Sequence, residues 1–280
     1  MPPTGTSSPL FLYFLLTKAA IRPTNFPSLF FNIQRGVLKD KATRRDLAAG
    51  LNRQALTKLP EGANDVARAQ DLPLIPAQFG VSYTSQLHYD PNAAKAELTK
   101  LYGNKIPTLN LVTVDSPEMV ATANEIKRQV ATVGVRLTIT AVDLSNLEQD
   151  YIRPRRYDML LFGQNTGADW DTYNFWHSTQ VADPGLNLSG YKSSDADKYL
   201  ESARLAKDPT NRHNKILAFL QTWDTDTPGV VLYSPYYLYA QNKIVTSSPL
   251  QTLITPADRF YNIQSWAVRY ERVAKTSIHN

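Results

Sequence analysis

Apolar residues recur along this chain with two alternating periods, and proline, glycine and aspartate stand where one period gives way to the other. Period-two or continuous apolar runs over 10–16, 28–33, 108–113, 135–142 and 157–162 predict strands. Between them, apolar residues three and four apart predict helices. The helix to Val133 carries Met119, Ala123, Ile126, Val130 and Val133 on one stripe, opened by Ser116-Pro117 and stopped by Gly134. Asp90-Pro91 and Gly103 bracket another helix, with Leu98 and Leu101 as its expected buried face. A helix from Asp40 to about Leu56 turns Leu47, Leu51 and Leu56 inward and Arg44, Arg45 and Arg53 outward. Two more start at Ser194 or Asp195 and at Asp208-Pro209, the second with Ile216, Phe219, Leu220 and Trp223 inward. Residues 230–233 and 236–240 read as aromatic-rich strands, with a last strand near 266–268. Residues 58–88, holding Pro60, Gly62, Pro73 and Pro76, read as a long irregular excursion. A short helix from about Ser145 completes a β-α-β-α-β run, which predicts an α/β fold.

The stretch 157–174 carries the candidate chemistry. It opens as a buried strand of a parallel sheet and is expected to break at Gly163 into a polar loop holding Asn165, Gly167, Asp169, Trp170 and Asp171. Ligands of open α/β sheets bind beyond the carboxyl ends of the strands. Gly163, Asn165, Asp169, Trp170 and Asp171 are therefore the candidate ligand contacts. Two alternatives stay open for the aspartates: they cap the helix starting near Tyr173, or they face a ligand. For Trp170 the alternatives are a wall of a side-chain pocket and core packing.

Composition narrows the field. A hydrophobic share of 42% against 20% charged residues describes a chain that folds around a core. Its 280 residues suffice for one large or two ordinary domains. The net charge of +5 is mild, and Arg153-Pro154-Arg155-Arg156 is too short a cluster for a nucleic-acid groove. That cluster reads as a solvated loop. With no cysteine, thiolate metal sites and disulfides are excluded. The four histidines stand far apart in sequence, and no phosphate-loop, dinucleotide or nucleophile-elbow pattern occurs. No cofactor and no metal site is expected. Asp169 and Asp171 remain conceivable as a hydrolytic pair, although two positions in one loop need not face each other. The apolar run at 10–16 lacks a preceding basic segment and a following small-residue cleavage site, so no export signal is expected in this chain.

Several segments, in order, resemble the family 5 solute-binding proteins of ABC importers, the oligopeptide-, dipeptide- and nickel-binding type. They are 29–47, running from Leu29-Phe30-Phe31-Asn32 to Asp40-Lys41 and Arg44-Arg45-Asp46-Leu47; Tyr89-Asp90-Pro91 with Ala93 to Leu98; 135–144 followed by Tyr157-Asp158-Met159; 163–175; and Tyr191, Ser194, Asp197 and Leu200. The resemblance covers about 10–273 and matches only the later half of such proteins, so a fragment is expected.

It implies a periplasmic-binding-protein-like lobe, with a mixed β-sheet flanked by helices. Residues 31–240 would form the second ligand-binding lobe. Residues 1–30 would be a leader with hinge and first-lobe remnant, and 241–280 the hinge return with the rest of that remnant. The implied function is to bind short peptides in a cleft between two lobes, for transfer to the permease subunits of an importer. Another small solute, such as a nickel complex or an oligosaccharide, and a carboxylate-dependent hydrolase are the alternatives. A monomer without nucleic-acid partners is expected, extracytoplasmic as a periplasmic protein or cell-surface lipoprotein. In peptide-binding members an aspartate of this loop pairs with the ligand's α-ammonium group, and the matching position is Asp169. The loop here is a residue shorter than the family pattern and lacks its proline, which keeps Asp171 as a second candidate.

Overall fold

The computed structural model describes residues 16–23, 25–59, 67–103, 105–167, 169, 171–247, 252–253 and 255–270. The chain divides into two compact units, one spanning Thr24–Pro235 and the other built from the segments on either side of it. In the flanking unit, β1 (Leu16–Pro23) pairs antiparallel with β9 (Tyr237–Asn242) and parallel with β11 (Thr252–Leu253). A two-stranded ribbon joins β10 (Val245–Thr246) to β12 (Ala267–Val268). The strand expected at 10–16 lies outside the described residues except for its last position, where β1 begins.

The larger unit is organised around a five-stranded sheet. Its members are β2 (Asn25–Phe31), β4 (Leu109–Val114), β5 (Leu137–Val142), β6 (Met159–Asn165) and β7 (Gly229–Val231). Their order across the sheet is β5-β4-β6-β2-β7. β4 pairs parallel with β5 and with β6, whereas β2 runs antiparallel to both β6 and β7. The sheet is therefore mixed, and β6 is parallel on one edge only. A two-stranded pair of β3 (Ala67–Ala69) and β8 (Tyr233–Pro235) stands apart from it.

Alternation along the strands divides the core in two. Phe26, Phe30, Val112, Leu160 and Val231 point to one face, and Leu29, Phe31, Leu111, Leu161 and Val230 to the other. The second face is covered by α1 (Lys41–Ala49), α2 (Arg53–Leu56), α3 (Pro91–Tyr102) and α4 (Pro117–Thr132). Beyond the one-turn α5 (Leu144–Asn146), the first face is covered by α6 (Tyr173–Trp176), α7 (Ser194–Leu205) and α8 (Pro209–Asp226). A sheet with apolar faces on both sides requires such a three-layer arrangement. The mixed sheet flanked by helices is the fold that the sequence predicts.

Local chemistry sets the helix boundaries. Asp90, Ser116, Ser193 and Asp208 each accept a backbone N–H three residues on, and a proline follows directly in three of these four. Gly50 ends α1 early, and a new cap at Asn52 starts α2, so the single helix expected over 40–56 is two. Leu98 is fully buried, but Leu101 is 47% exposed, because the helix rotates it past the sheet. β6 does not break at Gly163: it continues to Asn165, with Gly163 directly opposite Pro27 of β2.

Two of the arginines expected to face outward are buried. Arg44 donates to Leu38 O (2.9 Å), Thr227 O (3.0 Å), Lys39 O (3.1 Å) and Asp226 O. The last turn of α8 leaves carbonyls without intrahelical partners, and Arg44 supplies their donors. Burial lowers its pKa, while Asp226 and Asp40 act in the opposite direction. Arg53 pairs with Asp71 (3.0 Å) and donates to Leu87 O (2.9 Å), tying both ends of the 71–87 segment. Asp224, also buried, accepts from Ser85 Oγ (2.6 Å), Gln86 N (2.7 Å) and Tyr83 Oη (2.9 Å). The excursion is thus pinned by side chains where regular backbone pairing is lacking, and Leu72, Leu74, Ile75 and Val81 enter the core. Arg155 likewise bonds the carbonyls of Ile152, Val181 and Gly185, so the basic cluster is not simply a solvated loop.

Arg44→Met keeps the stem and strands four buried or partly buried carbonyls. We expect it to cost about 2–4 kcal/mol in urea unfolding. Leu101→Ala should cost under about 0.5 kcal/mol at its exposed site.

Candidate functional site

The end of β6 delivers the chain into the candidate loop. Gln164, fully buried, donates from Nε2 to Pro73 O (3.0 Å) and to Thr172 Oγ1 (3.2 Å). One side chain therefore ties the central strand to the excursion on one side and to the far end of the loop on the other. Asn165 Oδ1 accepts from Gly167 N (3.0 Å), and Gly167 takes a positive φ of 69°. The backbone turns sharply at that point, in a conformation that glycine adopts at little cost.

The two aspartates have different surroundings. Asp171 is half-buried, accepts from Tyr173 N (2.9 Å), and receives Arg204 Nε on its other oxygen (2.6 Å). Both oxygens of Asp171 are engaged, one at the start of α6 and one by α7. Asp169 is exposed, and its Oδ1 lies 3.5 Å from the backbone nitrogen of Asp171. The Arg204 guanidinium also lies over the Tyr173 ring, 3.7 Å from its centroid, and Tyr173 stacks on His177 at 4.1 Å. His177 is buried, with Nδ1 2.8 Å from Thr179 Oγ1 and Nε2 3.1 Å from Glu201 Oε1. An Arg–Tyr–His stack thus fastens the loop to one face of α7.

Beside the loop opens a cleft of about 270 Å³. Its walls are Asp169, Asp171 and Thr172 from the loop, Leu200, Ala203 and Arg204 from α7, Arg212 and Ile216 from α8, and Phe79 from the turn at Pro76–Phe79. The structure brings Asp169 and Asp171 to this cleft. Gly163 and Asn165 do not line it: Gly163 sits inside the β2–β6 ladder, and Asn165 ends that ladder opposite Asn25. Trp170 lies outside the described residues. The arginines and Phe79 escape a sequence reading that looks for carboxylates in one loop. A signal was present, since Arg204 follows Leu200 by four and Arg212 precedes Ile216 by four. Each arginine extends a buried stripe at helical spacing, onto the cleft side of its helix.

Fold and site together define an α/β unit with charged groups around a cleft beyond the carboxyl end of a central strand. Residues 6–185 match the family described as bacterial extracellular solute-binding proteins, family 5 middle segment, and the chain belongs to that family. Members of this family bind solutes for importers and are not enzymes.

The oligopeptide-binding protein AppA of Bacillus subtilis is 23% identical over 255 residues, covering 84% of this chain and 45% of AppA. NikZ of Campylobacter jejuni, solved with Ni(L-His), superimposes with a TM-score of 0.75 at 19% identity, over 92% of this chain and 55% of NikZ. DppA of Helicobacter pylori, solved with the peptide STSA, gives a TM-score of 0.73 at 20% identity, over 90% of this chain and 49% of DppA. The chain spans about half the length of the relatives it matches. Among the described residues, no helix is long and apolar enough to cross a membrane, and no group of three or more metal-ligating side chains stands together.

Arg204→Gln removes the ion pair and the stacked cation while keeping the stem. Faster amide hydrogen exchange at 171–173 is expected, with stability lower by about 0.5–2 kcal/mol and the exchange of α4 unchanged. Unaltered exchange at 171–173 would show that the stack does not hold the loop.

Proposed function

We propose that this chain is the ligand-binding lobe of an extracytoplasmic peptide-binding protein that serves an ABC importer, with Asp169 as the carboxylate that receives the peptide's α-ammonium group. Residues 31–240 form the lobe in this reading, and 1–30 and 241–280 supply the hinge crossings. A second lobe closes over the ligand, and permease subunits then receive it.

The observation that carries the reading is the contrast between the two aspartates. Asp171 spends both oxygens on Tyr173 N and Arg204, whereas Asp169 stands exposed at the cleft. A ligand ammonium reaches Asp169 without displacing an internal partner of that kind. A charge-assisted bond of this sort contributes about 1.5–3 kcal/mol once water is excluded. It also discriminates against blocked amino termini, because an acetylated nitrogen carries no charge. Asn165 acts here indirectly, by ending β6 and turning the loop at Gly167 through its side-chain Oδ1, and Gly163 acts from within the strand that leads to it.

Titration of the ¹⁵N-labelled chain with tripeptides, amino-terminally free or acetylated, tests the reading. Free peptides should shift the resonances around 165–173 with millimolar affinity, acetylated ones should not, and Asp169→Asn should weaken binding about tenfold or more. Equal binding of free and acetylated peptides would overturn the role given to Asp169.

A further inference from the structure

The cleft contains one more charge than ammonium recognition requires. Asp171 and Arg204 neutralise each other within it. Asp169 and Arg212 are left, and both line the same 270 Å³ space. Among the described residues, no carboxylate pairs with Arg212, and its Nε is buried without a hydrogen-bond partner. A buried guanidinium N–H without an acceptor is costly. Its guanidinium carbon lies over the Phe79 ring, 5.3 Å from the centroid, so the group packs against that ring at the cleft. A flat, oriented fork of donors matches a carboxylate better than any other common ligand group.

Resting on the peptide-binding reading, we propose that Arg212 receives a side-chain carboxylate of the ligand's first residue, so that the cleft prefers peptides led by glutamate or aspartate. One negative and one positive group stand at a single cleft, and an amino-terminal acidic residue carries the complementary pair with one (aspartate) or two (glutamate) methylene groups between them. Leu200, Ala203 and Ile216 supply an apolar wall for the methylene groups between those charges. The volume lies just below the ~300–1,000 Å³ typical of sites for drug-sized ligands, which suits one residue and not a long segment. Glutamate should therefore fill the cleft better than aspartate does.

The test compares Glu-Ala-Ala and Gln-Ala-Ala, both with a free amino terminus and a carboxyl-terminal amide, so that the glutamate side chain is the only carboxylate. On the full chain followed by NMR, Glu-Ala-Ala should bind about tenfold more tightly. Arg212→Gln should abolish that difference while leaving Gln-Ala-Ala binding unchanged, and Arg212→Lys should keep part of it. Unchanged thermal unfolding of both variants guards against a folding defect. Equal binding of the two peptides, or a preference that survives Arg212→Gln, would overturn the inference and leave the peptide reading intact. A gain seen only when Gln-Ala-Ala carries a free carboxyl terminus would assign Arg212 to that terminus, and overturn the side-chain preference. Failure of every peptide with a free amino terminus to shift any resonance would overturn both readings together.

Discussion

The antiparallel ladder between β2 and β6 is the constraint on which the rest of the larger unit depends. It runs without interruption from Phe31 opposite Met159 to Asn25 opposite Asn165. With β4 on its other edge from Met159 to Leu161, β6 is paired on both sides over that first stretch, and its backbone polar groups are committed there. A strand fixed in this way cannot slip by one residue without turning Leu160 to the wrong core and Leu161 to the other. The register therefore also fixes where the chain leaves the sheet. Gln164 is the last buried position of β6, and the loop leaves the sheet one residue beyond it.

From that exit the loop is held by side chains instead of backbone pairing. Gln164 grips Thr172, Arg204 grips Asp171, and Tyr173 lies between Arg204 and His177. Each contact is modest alone, since a partly exposed ion pair contributes at most about 1 kcal/mol and an exposed cation–π contact about as much. They converge on three consecutive residues, so opening the loop requires losing them together. The same device orders the 71–87 segment, where Arg53 and Asp224 replace a ladder. That segment matters to the site because it carries Phe79 to the cleft beneath Arg212.

Much of this is legible in the sequence, and the failures share a cause. Caps at Asp90, Ser116 and Asp208 are local and were readable, as were the stripes of α4 and α8. Pro27 hides the true start of β2, since a proline ordinarily marks the end of a strand. It is accommodated because the position opposite is Gly163, which adds no side chain beside the ring. Gly163 reads as a break for the same local reason. Arg44 and Arg53 read as outward-facing because charge normally stays in water. Their burial follows from distant carbonyls, at Thr227 and Leu87, that no local window contains. Asp169 and Asp171 are alike by sequence, and their surroundings differ through the cap that Asp171 gives Tyr173 N and through Arg204, more than thirty residues further on.

The electrostatics of the cleft explain why geometry and affinity must be kept apart. At about 4 Å, two unit charges attract by ~1 kcal/mol in bulk water and by ~4 kcal/mol at an effective dielectric constant of 20. Asp169 is exposed in this chain, so its attraction for an ammonium group lies near the lower value until something excludes water. Arg212 differs, because its Nε is already cut off from solvent and its guanidinium already packs over Phe79. The two charges would thus enter recognition at different stages. On the proposed reading, Arg212 is in place before a ligand arrives, and Asp169 gains strength only on closure. Selectivity for the ligand's first side chain would then be a property of this lobe alone, whereas tight binding would belong to the closed cleft.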